Sequence, residues 1–328
     1  MNSRKLLIAI LLLGTGISGA QAVSKEQEVL AKYPQATTEM SLKRVSEHVY
    51  YVQGEPGIAT DNQGFISNAG IVITDEGVVV FDALGTPALA SKMVALIRKV
   101  TDQPIVRVIM SHYHADHIYG LQVFKELGAE IYAPQGVYEY LNAPQAAERL
   151  EERQFSLDPW VNETTYLVEP DHVLNSTRVF ELGNVKLTIN YLGGAHSEGD
   201  LTMLVEPDRV LFSGDIIFEG RVAFLGDADT KRWLQTLERM ETSGLVGLIP
   251  GHGPAASEPT RAITQTRRYL GYMRKVMGEA VENFVPFAEA YKNADWSEFE
   301  KLPAFDAANR RNAYQVYLSM EAESLQGG

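Results

Sequence analysis

Ser111-His112-Tyr113-His114-Ala115-Asp116-His117 follows directly on the apolar run Ile105 to Met110 and supplies four metal-binding side chains within six residues. A single metal site cannot easily use all four, which points to two ions side by side and so to metal-assisted hydrolysis. The preceding run reads as a buried strand, so the motif is aimed off the edge of a sheet. His112 and His114 are two residues apart, and in an extended segment their rings leave on the same side. Asp116 and His117 begin a tighter turn into the next helix and point toward a neighbouring position.

Three more residues complete the pattern downstream. His196, Asp215 and His252 each follow a strand-like run and each sit among glycines: Gly193-Gly194-Ala195-His196, Ser213-Gly214-Asp215 and Pro250-Gly251-His252-Gly253. Ligands on loops at strand ends, with glycines that allow close backbone approach, are what a metal cup needs. Five of the seven histidines belong to this pattern. His48 and His172 have no such company and read as structural or surface residues.

Around these residues strands and helices interleave. Strands are expected at His48 to Val52, Phe65 to Ile73, Val78 to Phe81, Ile105 to Met110, Ile131-Tyr132, Thr177 to Glu181, Val185 to Tyr191, Leu201 to Val205, Val210 to Phe212 and Leu245 to Ile249. Helices are expected at Thr86 to Val100, Ile118 to Leu127 and Thr230 to Thr242, with a polar helical region from Pro134 to about Phe155. Thr86 is the expected N-cap of the first, with Pro87 its first residue. Beyond Pro259 the stripe Ile263, Leu270, Met273, Met277, Ala280 and Phe284 predicts a helix packed on the domain. The alternation suits an α/β fold of two sheets between helices better than an all-β one.

The motif H-x-H-x-D-H followed by separate His, Asp and His resembles the metallo-β-lactamase superfamily, over about Ser46 to Gly253. The resemblance implies an αββα sandwich with the metals between the sheet edges. It implies that His112, His114 and His196 hold the first metal, that Asp116, His117 and His252 hold the second, and that Asp215 bridges them. This set is similar to that of the glyoxalase II, lactonase and phosphodiesterase branches. The lactamases with a Cys ligand are excluded, since the chain has no Cys. The other dinuclear lactamases usually lack the bridging Asp, so Asp215 weighs against β-lactam hydrolysis. β-Lactamase activity nevertheless stays an alternative, as does a mononuclear iron enzyme of the persulfide dioxygenase kind. The implied reaction is attack by a metal-bridged hydroxide on an ester, thioester, lactone or amide carbonyl, with Asp116 orienting the hydroxide. Asp82, which ends the strand Val78 to Phe81, resembles an Asp that hydrogen-bonds the motif and tunes the metals.

Every ligand must be N or O, which suits two Zn2+ and leaves iron or manganese open. Ile58, Phe155, Trp160, Phe218 and Phe224 are candidates for an apolar cleft wall. No basic cluster suits the carboxylates of glutathione, which disfavours true glyoxalase II activity.

Arg4-Lys5, the apolar run Leu6 to Leu13 and Ala20-Gln21-Ala22 read as a signal peptide with an A-x-A cleavage site. The expected layout is a signal peptide at 1–22, an N-terminal arm at 23–42, the catalytic domain at 43–256 and a helical extension at 257–328. The expected location is the periplasm or the exterior. The net charge of −13 argues against nucleic acid and anionic membrane as partners and does not identify a substrate; the hydrolase reading implies a small-molecule substrate.

Overall fold

The computed structural model describes residues 25–226, 228–240 and 242–326, and the expected signal peptide lies outside them. Runs of β-branched residues build the first sheet. Its strands, in spatial order, are β1 (Lys43–Arg44), β2 (Val49–Val52), β3 (Ala69–Thr74), β4 (Gly77–Phe81), β5 (Ile105–Ile109), β6 (Glu130–Pro134) and β7 (His172–Leu174). β1 to β4 form an antiparallel meander, and β5, β6 and β7 add in parallel. The second sheet comprises β8 (Arg178–Leu182), β9 (Val185–Gly193), β10 (Asp200–Glu206), β11 (Val210–Phe218) and β12 (Gly247–His252). It is antiparallel except for the parallel pair β11 and β12.

β4 is buried along its whole length because both its faces are covered. Val79 and Phe81 meet the second sheet, where the Phe81 ring stacks on Phe212 at 5.5 Å. Val78 and Val80 face the helices. Those helices include α1 (Pro87–Ile97), whose N-cap Thr86 accepts from the Leu89 amide. Next come α2 (Ala115–Ile118) and α3 (Leu121–Leu127), then α4 (Val137–Leu141) and α5 (Pro144–Ser156). On the second sheet's outer face pack α6 (Thr230–Arg239), α7 (Pro259–Glu282), α8 (Phe287–Asn293) and α9 (Phe305–Gln326). The result is an αββα sandwich with C-terminal helices.

Several boundaries differ from the sequence expectation. The helix expected at Ile118 to Leu127 is two helices. The helix is interrupted at Gly120, whose amide donates to the Leu84 carbonyl (3.2 Å) and whose backbone passes so close to Ala83 that a Cβ would sit 1.9 Å from its carbonyl oxygen. The polar region after Pro134 likewise divides into α4 and α5 before Pro144. β1 and β7 carried no sequence signal, being two and three residues long. Asp215 and His252 do not follow their strands on loops. They lie within β11 and β12, because pairing continues past irregularities at Gly214. The arm packs down: Val29 and Tyr33 are buried in the helix-side core of the first sheet, and Arg98 pairs with Glu26 at 2.8 Å. No helix among the described residues is long and apolar enough to cross a membrane.

Candidate metal centre

The seven ligand-type residues come together at one end of the two sheets. His112 follows β5, His114 is the residue before α2, and Asp116 and His117 form its first turn. His196 sits between β9 and β10, Asp215 in β11 and His252 at the end of β12. Two donor groups result: His112, His114, His196 and Asp215 in one, and Asp116, His117 and His252 in the other. Within each group the ligand atoms lie within 4.8 Å of one another.

In the first group His114 Nδ1 is 3.0 Å from both His112 Nε2 and His196 Nε2. In the second, Asp116 Oδ2 is 3.5 Å from His117 Nε2 and 3.3 Å from His252 Nε2. Asp215 faces both groups. Its Oδ2 is 3.4 Å from His196 Nε2 and 3.2 Å from His252 Nε2, and its Oδ1 is 3.2 Å from His117 Nε2.

The donor set fits divalent cations. His117 Nε2 and Asp215 Oδ1 are buried with no hydrogen-bond partner among the described residues, although they nearly touch. Buried polar atoms left without a partner are costly, and a cation between them removes the cost. Without a cation, electrostatics divide the cup. Burial opposes the charge of Asp215, but the imidazoles of His252, His117 and His112 outweigh it and hold the carboxyl well below the usual range. Burial likewise opposes Asp116, and His117 and His252 pull its carboxyl well down. Burial pushes the His112 imidazole down, and that of His196 to about 3. In His117 and His252 burial is outweighed by attraction to Asp215, which raises both.

A shell of hydrogen bonds orients these rings. Asp82 accepts from the Ser111 amide (2.7 Å) and the Ser111 hydroxyl (2.8 Å), and lies 2.9 Å from His117 Nδ1. It does so from a left-handed backbone conformation, φ 66°, which Asp tolerates better than most residues. The Ser111 Oγ is also 2.8 Å from His112 Nδ1. His252 Nδ1 lies 2.7 Å from the Ile66 carbonyl. Gly251 must be glycine, since a Cβ there would fall 1.9 Å from Asp215 Oδ1.

Sequence reasoning missed several of the supports. Asn68 donates to the Pro250 and Gly253 carbonyls at 2.7 and 2.8 Å, and so ties the first sheet to the segment carrying His252. Asp200 accepts from the Ala195 and Ser197 amides, bracketing His196. Its burial raises its carboxyl to about 7. Trp233 sets its ring 5.0 Å from that of His196. The only signal for these residues was a lone polar or aromatic residue beside an apolar run, which many core residues share.

The suggested cleft walls separate. Phe218 is buried and stacks beneath His252 at 5.1 Å, so it backs the ligands. Phe155 is 91% exposed, and Trp160 packs on the helix-side core of the first sheet. Ile58 is half exposed. Phe224 lies 6.2 Å from His114, ring to ring. His48 pairs with Asp208 at 2.7 Å and His172 stacks on Tyr132, both apart from the centre.

An αββα sandwich with a His/Asp cup at one end of its sheets defines a class, the metal-dependent hydrolases of this architecture. The chain belongs to the metallo-beta-lactamase superfamily, whose model matches residues 62–252. It is 24% identical over 259 residues to the metallo-beta-lactamase type 2 of Bacillus sp. (strain 170), covering 76% of this chain and 91% of that one. It is 25% identical over 224 residues to the metallo-beta-lactamase type 2 of Bacteroides fragilis, covering 66% and 80%. Among solved structures, a metallo-beta-lactamase from Pontibacter korlensis superposes with a TM-score of 0.57 at 20% identity, over 71% of this chain and 99% of that one. The DIM-1 metallo-beta-lactamase gives 0.53 at 17% identity, over 71% and 97%.

Proposed function

We propose that this protein is an exported hydrolase that holds two divalent ions, zinc by preference, and cleaves a small ester, thioester, lactone or amide. The observation that carries this reading is Asp215, whose carboxylate oxygens face both donor groups at 3.2 to 3.4 Å. His112, His114 and His196 would hold one ion, Asp116, His117 and His252 the other, and Asp215 both. Bound divalent ions supply Lewis acidity, polarising a carbonyl and lowering the pKa of a water toward about 7.

The residues of the chain do the rest. Asp82 and the Ile66 carbonyl accept hydrogen bonds from the Nδ1–H groups of His117 and His252, which leaves the lone pair of each neutral ring on Nε2, toward the cup. Ser111 relays the same constraint to His112. Asp116 differs from Asp215 in access: its side chain is 21% exposed, against 3%. It is therefore the carboxylate that can meet an attacking water, orient it and hold its proton on a carboxylate oxygen. Phe218 and Trp233 keep water from the back of the cup.

The names of the relatives favour a second reading, β-lactam hydrolysis. A chromogenic cephalosporin separates it from turnover of esters, thioesters and lactones. On a panel of all four, the first reading expects hydrolysis of at least one non-lactam substrate, lost on chelation and restored by zinc. Two bound metals without turnover of any substrate would instead mean a non-catalytic metal-binding protein. A single iron with persulfide-dependent oxygen uptake would mean a dioxygenase. Export rests on Arg4-Lys5, the short apolar run and Ala20-Gln21-Ala22. Intact mass of the protein from the producing cell should show cleavage after Ala22, and a chain still starting at Met1 contradicts it.

A further inference from the structure

The C-terminal helices reach the metal centre through one loop. Residues 221–226 leave β11 and pass the donor cup, where the Phe224 ring stands edge-on to His114, 6.2 Å away at 81°. α9 grips the loop on both sides of Phe224. The wholly buried Asn312 donates from Nδ2 to the Ala223 carbonyl (2.6 Å) and accepts at Oδ1 from the Leu225 amide (2.9 Å). Its second Nδ2 proton goes to the Tyr269 hydroxyl of α7 (2.9 Å), which itself donates to Asn309 Oδ1 (2.8 Å). The Val222 amide donates to the Pro303 carbonyl (3.2 Å), and the Arg311 guanidinium lies over the Phe224 ring at 5.3 Å.

Every hydrogen-bonding group of the Asn312 side chain is thus spent on this loop or on the helix behind it. A buried amide in a helix is costly unless fully satisfied, and a satisfied one fixes its partners in a single arrangement. The superfamily match ends at residue 252, before α7 begins. The wall beside His114 is therefore held from outside the matched segment.

We propose that the C-terminal helices set substrate selectivity, with Asn312 as a positioning residue that holds Phe224 as an apolar wall beside His114. The site then favours substrates that carry a bulky apolar group, an aromatic ring above all, next to the scissile carbonyl. The inference rests on the metal-centre reading above, because the wall matters only if ligands bind at His114.

The test uses the full-length, metal-loaded protein and two thiol acids that differ only in a benzyl or a methyl side group. Affinities come from calorimetry, so no turnover is needed. The wild type should bind the benzyl compound about 10-fold tighter or more, since burying most of a ring on an apolar wall is worth at least that much. Phe224→Ala and Asn312→Ala should each cut this ratio to about 2-fold, and the double variant should be no worse than either, as expected of residues acting as a unit. A purely structural role for Asn312 would lower stability and weaken both thiols equally, leaving the ratio intact. If Asn312→Ala does not fold, Tyr269→Phe removes only the hydroxyl that holds Asn312 and should lower the ratio in the same direction. No benzyl preference in the wild type, an undiminished ratio in Asn312→Ala (in Tyr269→Phe if Asn312→Ala does not fold), or losses that add in the double variant would overturn the proposal. Metal content separates the failures: a metal-loaded chain that binds neither thiol sinks the wall, whereas a chain without metal sinks the reading beneath it.

Discussion

Asp116 and Asp215 are both held as anions by their histidine neighbours, yet only Asp116 reaches solvent. Asp116→Asn keeps the size and one oxygen donor but removes the charge that orients a nucleophile. It should retain most of the metal held by His112, His114 and His196. It should lose hydrolysis by about 10²-fold or more, mainly in kcat, since general-base and orienting effects are worth about 10²–10⁴. Wild-type turnover with both metals bound would remove Asp116 from the mechanism. Asp82 acts one layer further out. Asp82→Asn tolerates the left-handed backbone, but it places an NH2 or loses an acceptor where Ser111 and His117 both donate. Metal affinity should fall about 10- to 100-fold, read by competition with a chelator. An unchanged affinity would mean that packing alone fixes His117.

At the scale of elements, the ligand positions were legible because histidine is rare and a metal cup demands it at strand ends. The element carrying Asp215 was misread for a local reason. Ser213-Gly214-Asp215 looks like a turn, but β11 runs on to Phe218 because the parallel partner β12 keeps pairing with it. Asn68, Asp200 and Trp233 were not legible, since each gains its role only when distant strands meet. The far end of the sandwich has its own pin. Asp208, in the β10–β11 turn, accepts from the Ser46 hydroxyl, the His48 amide (3.0 Å) and His48 Nδ1 (2.7 Å) of the β1–β2 turn. Burial opposes its charge, but these hydrogen bonds from Ser46 and His48 lower its pKa below the ordinary carboxylate value. A carboxyl lowered on folding stabilises above its unfolded pKa of about 3.9, and the contribution is lost as pH falls through the folded value. Asp208→Asn should therefore cost about 1–3 kcal/mol at pH 7. The gap from wild type should begin to narrow below about pH 4 in urea melts and close as pH falls further, through the folded value. A gap that is constant with pH would mean that the charge has no part in the pin.

Across the whole molecule, two sheets bring ligands from four separate segments to one end, where Phe218 of β11 and Trp233 of α6 back the cup. The αββα architecture was expected from the interleaving of strands and helices and from the resemblance that the motif carried. The contribution of the C-terminal helices was not, because the sequence shows a packed helix and not what its buried Asn312 grips. On the proposed reading, Asp215 joins the two donor groups into one dinuclear centre. The most direct test is the metal content of the purified full-length protein, measured by elemental analysis beside the same measurement on Asp215→Ala. Close to two equivalents per chain are expected in the wild type, mainly zinc, and at most about one in the variant. One equivalent in the wild type, or two in both proteins, would contradict that reading.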